Sequence, residues 1–378
     1  MRAGRPFPRG VLLLAGAVAL VAACGGDGAG HAGADPAGRV RVHYIAADEV
    51  AWDYAPSGRN LVTGRPFGDA ENTYVARGPD RIGRVYRKSL FREYTDGTFT
   101  SPLHRPAVWE HLGLLGPVIH AEVGDTIRVV FMNHTTLPAS MHPHGVLYDK
   151  ASEGAPYDDG TSGADKADDS VPPGGTHTYV WKVPERAGPG PMDPSSVMWM
   201  YHSHVDEVAD TYAGLMGAIV VTRRGMARPD GSPRDVDREL VTMFMVSDEN
   251  RSPWLDDNIH TYATAPATVR RDDPDFMESN RKHAINGYVF GNLPGLDVHR
   301  GERVRWYVMG MGTEVDLHTP HWHGNTVLTA GMRTDVLSLL PATMAVADMT
   351  PDDPGTWLYH CHVADHISAG MLARYTVR

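Results

Sequence analysis

Residues 356–377, "TWLYHCHVADHISAGMLARYTV", repeat the plan of residues 198–221, "MWMYHSHVDEVADTYAGLMGAIVV". In each stretch an apolar run leads into a His-x-His pair, and a second apolar run follows an Ala-Gly step. An earlier pair of segments also corresponds: residues 118–134 precede "HPHG" at 142–145, and residues 296–312 precede "HTPHWHG" at 318–324. The repetition predicts two homologous halves that share one order of strands and His pairs.

The fold class follows from the strand-like segments, which alternate in polarity or are wholly apolar and lie between Gly, Pro and Asp clusters. The 378 residues include 40 Gly and 28 Pro, and 42% of them are hydrophobic. This composition is typical of a globular protein rich in β-structure. We predict an all-β protein of two sandwiches of short antiparallel strands. The polar, turn-rich residues 223–238 form the predicted linker, with domains at 39–228 and 229–378.

The N-terminus predicts export. Three arginines precede an apolar run at residues 11–23, which is short for a membrane span of roughly 20 residues. "VAAC", ending at Cys24, resembles the bacterial lipobox, in which the cysteine is lipidated and becomes the first residue. Residues 1–23 are then a lipoprotein-type signal peptide and residues 24–38 a flexible tether. A plain signal peptide cleaved nearby is the alternative. We expect an extracytoplasmic protein anchored to the outer face of a bacterial membrane only through lipid on Cys24.

The net charge and the cysteine content limit the possible partners and indicate a role for Cys361. Loss of the three leader arginines lowers Lys+Arg from 35 to 32 against 46 Asp+Glu, a net charge of −14. This acidic balance argues against nucleic acid as a partner and favours attraction of cations. Cys24 and Cys361 are the two cysteines of the sequence. If Cys24 is lipidated, Cys361 is a free thiol, which is unusual in an oxidising compartment and requires a function.

Histidines are concentrated in four places. Of 20 His, ten lie in four tight clusters: His142 and His144; His202 and His204; His318, His321 and His323; and His360, His362 and His366. One His-x-His pair alone would more often be two core residues on the same face of a strand. Four pairs, two in each half, instead predict a multinuclear metal site built from eight imidazoles.

The cluster around Cys361 indicates the metal. Two His, a Cys thiolate and a weak axial Met form the ligand set of a blue-copper centre, here His318, Cys361, His366 and Met371. Zinc would usually take more cysteines or no Met. A Cys–His hydrolase would leave the other His clusters without a role. In the first half, Ser203 and Ala139 stand where the second half has Cys361 and His318, so only the second half is expected to hold this centre.

The histidines on either side of Cys361 connect the predicted blue-copper centre to the predicted multinuclear site. His360 and His362 are the sequence neighbours of Cys361, so a few covalent bonds join the blue-copper centre to the His cluster. This arrangement suits collecting single electrons from a reductant and delivering four of them to O2, which becomes water.

These residues resemble the multicopper oxidases, most closely the ceruloplasmin and hephaestin branch. The segments that carry the likeness cover nearly all of the chain after residue 38 and include "VHYIAADEVAWDYAP", "HLGLLGPVIHAEVGDT", "FMESNRKHAINGYVFGNLPGL" and "MGMGTEVDLHTPHWHG". The resemblance implies two cupredoxin-like Greek-key β-sandwich domains and four coppers per subunit, one of type 1, one of type 2 and two of type 3. It assigns His142 and His321 to the type 2 copper, His144, His202 and His362 to one type 3 copper, and His204, His323 and His360 to the other.

The resemblance also implies an assembly. Ceruloplasmin-like chains place six such domains around a pseudo-threefold axis, and a two-domain chain could rebuild that ring as a homotrimer, as two-domain laccases do. The trinuclear cluster would then lie between the first domain of one subunit and the second domain of its neighbour.

The substrate is implied by three further positions. Glu278, His283 and Asp365 match an iron site near the blue copper of the ceruloplasmin branch, which predicts a ferroxidase that oxidises Fe(II) to Fe(III). Ordinary loop acids are the alternative for Glu278 and Asp365. A laccase-like phenol oxidase shares the copper frame and remains open as the activity, with O2 and a small reductant as partners in either case.

Two additional sites are predicted by the same resemblance. The loop "DKASEGAPYDDGTSGADKADDS" matches a calcium loop, with the Lys150 carbonyl, Asp165, Asp168 and Asp169 as ligands, although a solvated acidic loop fits the sequence nearly as well. Glu153 and Asp206 lie near the His pairs and are candidate proton relays for O2 reduction.

Two other function classes compete with the oxidase. A copper nitrite reductase would keep its blue copper in the first domain, which Ser203 and Ala139 argue against. A non-catalytic copper-binding module would not need ten His, one Cys and one Met. Copper content separates these functions: four per chain for the oxidase, two for the nitrite reductase, and one or none for the module.

Overall fold

The computed structural model describes residues 38–378. The predictions of a signal peptide over 1–23, of lipid on Cys24 and of a tether over 24–38 fall on residues outside this range, except for residue 38 itself. None of the helices between residues 38 and 378 has the length and the hydropathy that a membrane span requires.

The first half of the chain, here residues 40–222, contains eight strands and two short α-helices. In chain order these are β1 Val40–Asp53, α1 Asp69–Val75, β2 Val85–Glu93, β3 Ile119–Glu122, β4 Thr126–Asn133, β5 His142–Pro143, β6 Thr176–Lys182, β7 Ser196–His202, α2 Glu207–Ala213 and β8 Met216–Thr222.

The second half, here residues 238–377, contains ten strands and three short α-helices. They are β9 Arg238–Asp248, α3 Leu255–Tyr262, α4 Pro274–Ser279, β10 Arg281–Ile285, β11 Asp297–Val298, β12 Val304–Gly310, β13 Pro320–Trp322, β14 Val327–Thr329, β15 Met332–Thr334, β16 Met344–Met349, β17 Gly355–Cys361, α5 Ala364–Ser368 and β18 Leu372–Val377. Single 3-10 turns occupy several connections, among them Lys150–Ser152 and Glu249–Arg251.

Each half forms two sheets. The first half has sheets in the order β2-β1-β4-β6 and β3-β8-β7-β5, and the second half has β10-β9-β12-β16-β14-β15 and β11-β18-β17-β13. Among the described strands, every ladder joins two strands of the same half. The predominantly β architecture agrees with the prediction from the strand-like segments.

The expectation of antiparallel sandwiches was wrong in part, because the sheets are mixed. β1 pairs in parallel with β4, β3 with β8, β9 with β12, and β11 with β18. The remaining ladders, such as β17 with β18, are antiparallel. Side chains alternate with a period of two in both kinds of ladder, so the sequence pattern predicts a strand and not the direction of its neighbour.

Each half has its own apolar core. Trp181, Tyr179 and Phe131 are fully buried in the first half, and Trp306, Trp322 and Tyr359 are at most 1% exposed in the second. In β4 the burial alternates along the strand as its sequence does, with Ile127, Val129 and Phe131 facing this core. The cores therefore form between the two sheets of each half, as expected for a sandwich.

A third core joins the halves and is rich in methionine. It brings strands β7 and β8 of the first half against β9 and β12 of the second, through seven buried methionines: Met198, Met200, Met216, Met243, Met245, Met309 and Met311. Unbranched thioether side chains adapt to irregular gaps, which suits an interface between two curved sheets. A fully buried ion pair, between Lys88 Nζ and Glu249 Oε1 at 2.5 Å, also crosses this interface.

Candidate metal centres

Four predicted ligands meet at the end of β17. We call His318, Cys361, His366 and Met371 the Cys361 site. Cys361 is the last residue of β17, His366 lies on α5, His318 precedes β13, and Met371 directly precedes β18. The Cys361 Sγ is 3.5 Å from His366 Nδ1 and 3.9 Å from His318 Nδ1, and the two Nδ1 atoms are 3.2 Å apart. All four residues are buried, with Cys361 and Met371 at 0% exposure.

Backbone bonds fix this site. The Met371 N–H donates to the His366 carbonyl at 2.9 Å, and the Met371 carbonyl accepts from the Cys361 N–H at 3.2 Å. The Thr319 N–H donates to Cys361 Sγ at 3.3 Å. Burial opposes ionisation of the thiol, but hydrogen bonding with His318 and His366 lowers the pKa of Cys361 to about 6. A thiolate, two convergent imidazole nitrogens and a buried thioether are a donor set that fits copper.

The His-x-His pairs are positioned in the same way in both halves. The first His of each pair lies on a strand: His142 on β5, His202 on β7, His321 on β13 and His360 on β17. A glycine follows the first pair of each half, Gly145 with φ +73° and Gly324 with φ +71°, and the rings of Trp199 and Trp357 occupy the space that a Cβ would need. The repeated "HxHG" and "W-x-Y-H" motifs therefore describe one turn and the aromatic ring packed against it.

The first-half cluster consists of His142, His144, His202 and His204. His144 Nε2 and His202 Nε2 are 3.1 Å apart, and the His142 ring lies 5.2 Å from that of His204. The His142 Nδ1 bonds to the Glu153 carbonyl at 2.7 Å, which leaves its Nε2 available to a metal. Burial, followed by the neighbouring imidazoles, lowers the pKa of His144 to about 4, and burial lowers that of His202 to about 4. Both rings are therefore neutral at physiological pH.

The second-half cluster consists of His321, His323, His360 and His362. His323 Nε2 and His360 Nε2 are 3.0 Å apart, and His321, His323 and His360 offer nitrogens that all lie within 4.8 Å of one another. The His362 ring lies 5.5 Å from His321. The His321 Nδ1 bonds to the Asp335 carbonyl at 3.0 Å, in the same way as His142 bonds to Glu153. Each half therefore carries a matching group of four imidazoles.

The two clusters do not meet within one chain. Between residues 38 and 378, no ring contact and no metal-binding group joins a histidine of the first-half cluster to one of the second-half cluster. The predicted partners His144 and His202 are brought together, as are His323 and His360. Their predicted third partners, His362 and His204, come from the opposite half and are absent from these groups. His362 is exposed.

The first half has the same backbone hydrogen bonds as the Cys361 site but lacks its ligands. The Ser203 N–H donates to the Leu215 carbonyl and the Leu215 N–H to the Asp210 carbonyl, which matches the Cys361, Met371 and His366 bonds of the second half. Ser203 Oγ donates to Asp210 Oδ2 at 2.6 Å, and Ala139 is fully buried nearby in the same core. A hydrogen bond between Ser203 and Asp210 thus replaces the contact between the thiol and the imidazole.

Two of the three predicted iron residues, His283 and Asp365, lie beside the Cys361 site. The His283 ring, on β10, is 5.1 Å from the His366 ring, and Asp365 is the neighbour of His366 on α5. His283 is 8% exposed and its Nδ1 has no hydrogen-bond partner. Burial, followed by His366 and His318, lowers the pKa of His283 to about 3. It therefore presents a neutral imidazole with an unpartnered nitrogen.

Tyr74, which the sequence analysis missed, reaches this region from α1. Its hydroxyl donates to Glu278 Oε1 at 3.0 Å, and its ring lies 5.9 Å from His283. Burial, followed by the negative charges of Glu278 and Asp365, raises the pKa of Tyr74 to about 12. Glu278 Oε2 accepts from Arg281 at 3.2 Å. Glu278, His283 and the segment of Asp365 are thus brought to one place, with a tyrosine of the first half.

The predicted calcium loop is held by two lysines. Lys150 Nζ contacts Glu153 Oε2 at 2.6 Å and Asp159 Oδ2 at 3.0 Å, and Lys166 Nζ contacts Asp159 Oδ1 at 2.9 Å and Asp169 Oδ2 at 3.2 Å. Asp165 is exposed. Asp168 is fully buried, its Oδ2 accepts from the Gly154 N–H at 2.7 Å, and its Oδ1 has no partner.

The predicted proton relays have structural contacts. Besides holding His142 with its carbonyl, Glu153 has its carboxylate bound by Lys150 and Tyr157. Asp206 is the N-cap of α2 and accepts from the Ala209 N–H at 3.2 Å. Glu207, not singled out from the sequence, lies with its Oε2 3.5 Å from His204 Nε2.

Comparisons with known proteins agree with this geometry. Two family models, both described as multicopper oxidase, match residues 98–225 and residues 260–378. Mouse Ferroxidase HEPHL1 is 46% identical over 340 residues, which cover 89% of this chain and 29% of that protein. Human hephaestin is 46% identical over 345 residues, and human ceruloplasmin 44% over 342, with 90% and 89% of this chain covered. The chain spans about 30% of the length of each of these two relatives.

Solved structures support the fold. A crystal structure of a multicopper oxidase matches with a TM-score of 0.56 at 17% identity, covering 90% of this chain and 89% of that one. A second multicopper oxidase, mgLAC, matches with a TM-score of 0.54 at 19% identity, covering 90% and 86%.

Proposed function

Because this chain belongs to the multicopper oxidase family, we propose that it is a ferroxidase, which oxidises Fe(II) to Fe(III) and reduces O2 to water. One observation carries the proposal: the predicted iron residue His283 packs against His366 of the Cys361 site, with Glu278 held nearby by Tyr74. The relatives include a protein named as a ferroxidase, which supports the same substrate.

The donor sets fit the metals that this family implies. Copper bound at the Cys361 site and at the His clusters would supply one-electron oxidation of the substrate and four-electron reduction of O2. His318, Cys361, His366 and Met371 would hold type 1 copper. The two His clusters would hold the type 2 copper and the type 3 pair in the arrangement that the sequence predicts, four coppers in all for each subunit.

The chain's own residues explain a preference for iron. Two carboxylates, Glu278 and Asp365, and a neutral imidazole, His283, offer hard and borderline donors that bind Fe(III) even more strongly than Fe(II). Product stabilisation of this kind favours electron loss. Asp365 is covalently adjacent to His366, and Cys361 is covalently adjacent to His360 and His362. The backbone therefore links the substrate site, the Cys361 site and the second-half cluster by short covalent paths.

The decisive experiment compares two substrates. In Glu278→Ala/Asp365→Ala, Fe(II) turnover should fall while phenol turnover and copper content stay at the parent level. Asp275→Ala removes an exposed carboxylate from the same helix, α4, and serves as the matched control. Unchanged iron oxidation at full copper content would eliminate the ferroxidase assignment and favour a laccase-like phenol oxidase.

We further propose that the active form is a homotrimer. The two clusters, four imidazoles each, remain apart within one chain, and each still offers exposed or half-buried rings for a partner. Closed cyclic association of three copies would set the first-half cluster of one subunit against the second-half cluster of the next. Sedimentation with activity measurements tests this assembly: a copper-loaded monomer with oxidase activity would refute it.

Calcium binding at the 150–169 loop is a secondary proposal. The unpartnered Asp168 Oδ1 supports it, since a buried carboxylate oxygen is costly without a donor or a cation. Isothermal titration with Ca2+ should give binding that Asp168→Asn abolishes. If the parent gives no heat and no calcium-dependent rise in melting temperature, the two lysines alone hold the loop.

Proton delivery and export complete the proposed function. Glu153 and Asp206, near the first-half cluster, would pass protons for O2 reduction, and Glu153→Gln should slow reoxidation of the reduced enzyme by O2. Export with lipid on Cys24 rests on the "VAAC" motif. Mass spectrometry of the mature N-terminus distinguishes lipid on Cys24 from a plain cleaved signal peptide.

A further inference from the structure

Asp316 is a fully buried carboxylate beside a predicted copper ligand. It is 0% exposed, and its Oδ1 lies 3.1 Å from His318 Nε2. The Val246 N–H also donates to Oδ1, at 2.6 Å, and the Thr313 N–H donates to Oδ2 at 2.8 Å. The carboxylate therefore accepts two backbone hydrogen bonds and also lies within hydrogen-bonding distance of the far nitrogen of the His318 ring.

The surrounding loop is shaped around this carboxylate. Gly312 has φ +120°, and a Cβ at that position would lie 2.0 Å from Asp316 Oδ2. A side chain there would displace the acid, so the chain closes over Asp316 only because residue 312 is glycine. Val246 is paired with His283 across the β9–β10 ladder, so the same carboxylate also contacts the strand next to the predicted iron residue.

No cation compensates the charge of Asp316. Within residues 38–378, neither Lys nor Arg forms an ion pair with Asp316, and the ionisable side chain that contacts its carboxylate is His318. A buried carboxylate without a cation is unfavourable unless the group that it contacts carries positive charge. An imidazole bound to a metal through its other nitrogen is such a group.

The first half provides an internal comparison. Leu137 and Ala139 stand five and three residues before its first His pair, where the second half has Asp316 and His318. The half without a thiolate therefore also lacks an acid at the position that corresponds to Asp316. This correspondence links Asp316 to the Cys361 site and not to the general architecture of the sandwich.

We propose that Asp316 is a positioning residue for the Cys361 site: it holds the proton of His318 on Nε2, keeps Nδ1 free for copper, and lowers the reduction potential of the bound metal. A negative charge hydrogen-bonded to the ligand makes the imidazole more electron-donating, which stabilises Cu(II) over Cu(I). The inference rests on the copper site of the proposed function and does not depend on iron as the substrate.

Redox titration of the copper-loaded protein tests the proposal. Asp316→Asn keeps the size and one acceptor and removes the charge. We expect the variant to retain its thiolate-to-copper absorption while the ratio of Cu(I) to Cu(II) affinity rises about tenfold or more. The matched control is Asp210→Asn, which neutralises a buried carboxylate in the first half, beside Ser203, where no thiolate is present. In this control the reduction potential of copper at the Cys361 site should equal that of the parent. An unchanged potential in Asp316→Asn with normal absorption would overturn the proposal.

A second measurement uses the unaltered chain, in case the variant fails to fold. With Co2+ in the Cys361 site, the paramagnetically shifted ring N–H of His318 should exchange slowly with solvent, because Asp316 holds it in a buried hydrogen bond. Rapid exchange, or loss of that N–H signal in the folded protein, would contradict the assigned tautomer. Loss of all cobalt binding would instead count against the proposed metal site itself, which separates the two failures.

Discussion

Replacing Tyr74 by Phe tests the iron site through a residue that the sequence did not indicate. The substitution removes one hydroxyl, which donates to Glu278 Oε1 at 3.0 Å, and it preserves the ring packed against His283. Since burial and the nearby carboxylates raise the pKa of Tyr74 to about 12, the hydroxyl is protonated and donates throughout the neutral range. We expect Glu278 to lose its fixed orientation in the variant.

The size of the effect follows from the exposure of the pair. A hydrogen bond to a charged group contributes about 1.5–3 kcal/mol. The Glu278 side chain is 38% exposed, so solvent screening reduces the value to about 1 kcal/mol. This corresponds to a fall of about fivefold in kcat/KM for Fe(II). Phenol oxidation should change by less than about twofold, because a phenol makes no use of the Glu278 carboxylate.

Oxygen consumption with each substrate in turn measures the effect. Tyr262→Phe is the matched control, since Tyr262 is partly buried and its hydroxyl makes no hydrogen bond to residues 38–378. Equal losses with both substrates would show that Tyr74 supports the fold or the copper site and not the iron site. Unchanged or faster Fe(II) oxidation would refute the role assigned to its hydroxyl.

Three other changes have defined outcomes. Lys88→Met leaves the buried Glu249 without its cation and should lower the free energy of unfolding by about 3–5 kcal/mol, seen as a lower melting temperature. The double variant Lys88→Met/Glu249→Leu should regain most of that stability. A double variant as unstable as the single one would contradict the role assigned to this ion pair. The copper-free protein should lose stability as pH falls from about 6.5 to 4, because burial lowers the pKa of His111 and His283 to about 3 while the unfolded chain takes up protons near pH 6.5. The urea concentration at the midpoint of unfolding, measured across this pH range, gives the loss of stability. His111→Gln should make the stability less dependent on pH. Grafting the second-half ligands onto the first half, as Ala139→His/Ser203→Cys/Asp210→His/Leu215→Met, should add one copper per chain and raise the thiolate-to-copper absorption; an unchanged copper content would show that the two frames are not equivalent.

The grouping of Cys361, His366 and Met371 could be predicted from the sequence because these residues are close together along the chain. Cys361 lies between His360 and His362, His366 and Met371 follow at short intervals, and backbone bonds among Cys361, His366 and Met371 hold the segment as one unit. The predominantly β structure was also predicted correctly, since strands can be recognised from their apolar composition and from the alternation of polar and apolar residues. The direction of the neighbouring strands could not be predicted in this way, and parallel ladders such as β1 with β4 were missed.

By itself, then, the sequence determined which side chains are candidate metal ligands and that the two halves share one plan, because spacing and repetition are properties of the chain. Only the tertiary structure decided which side chains from distant parts of the chain lie next to these residues. Tyr74 and Glu278 are separated by 204 positions, yet they share a hydrogen bond, and the four imidazoles of one half lie apart from those of the other. Contacts of this kind depend on how apolar faces pack between distant strands, and their energy comes from burial that no local pattern records.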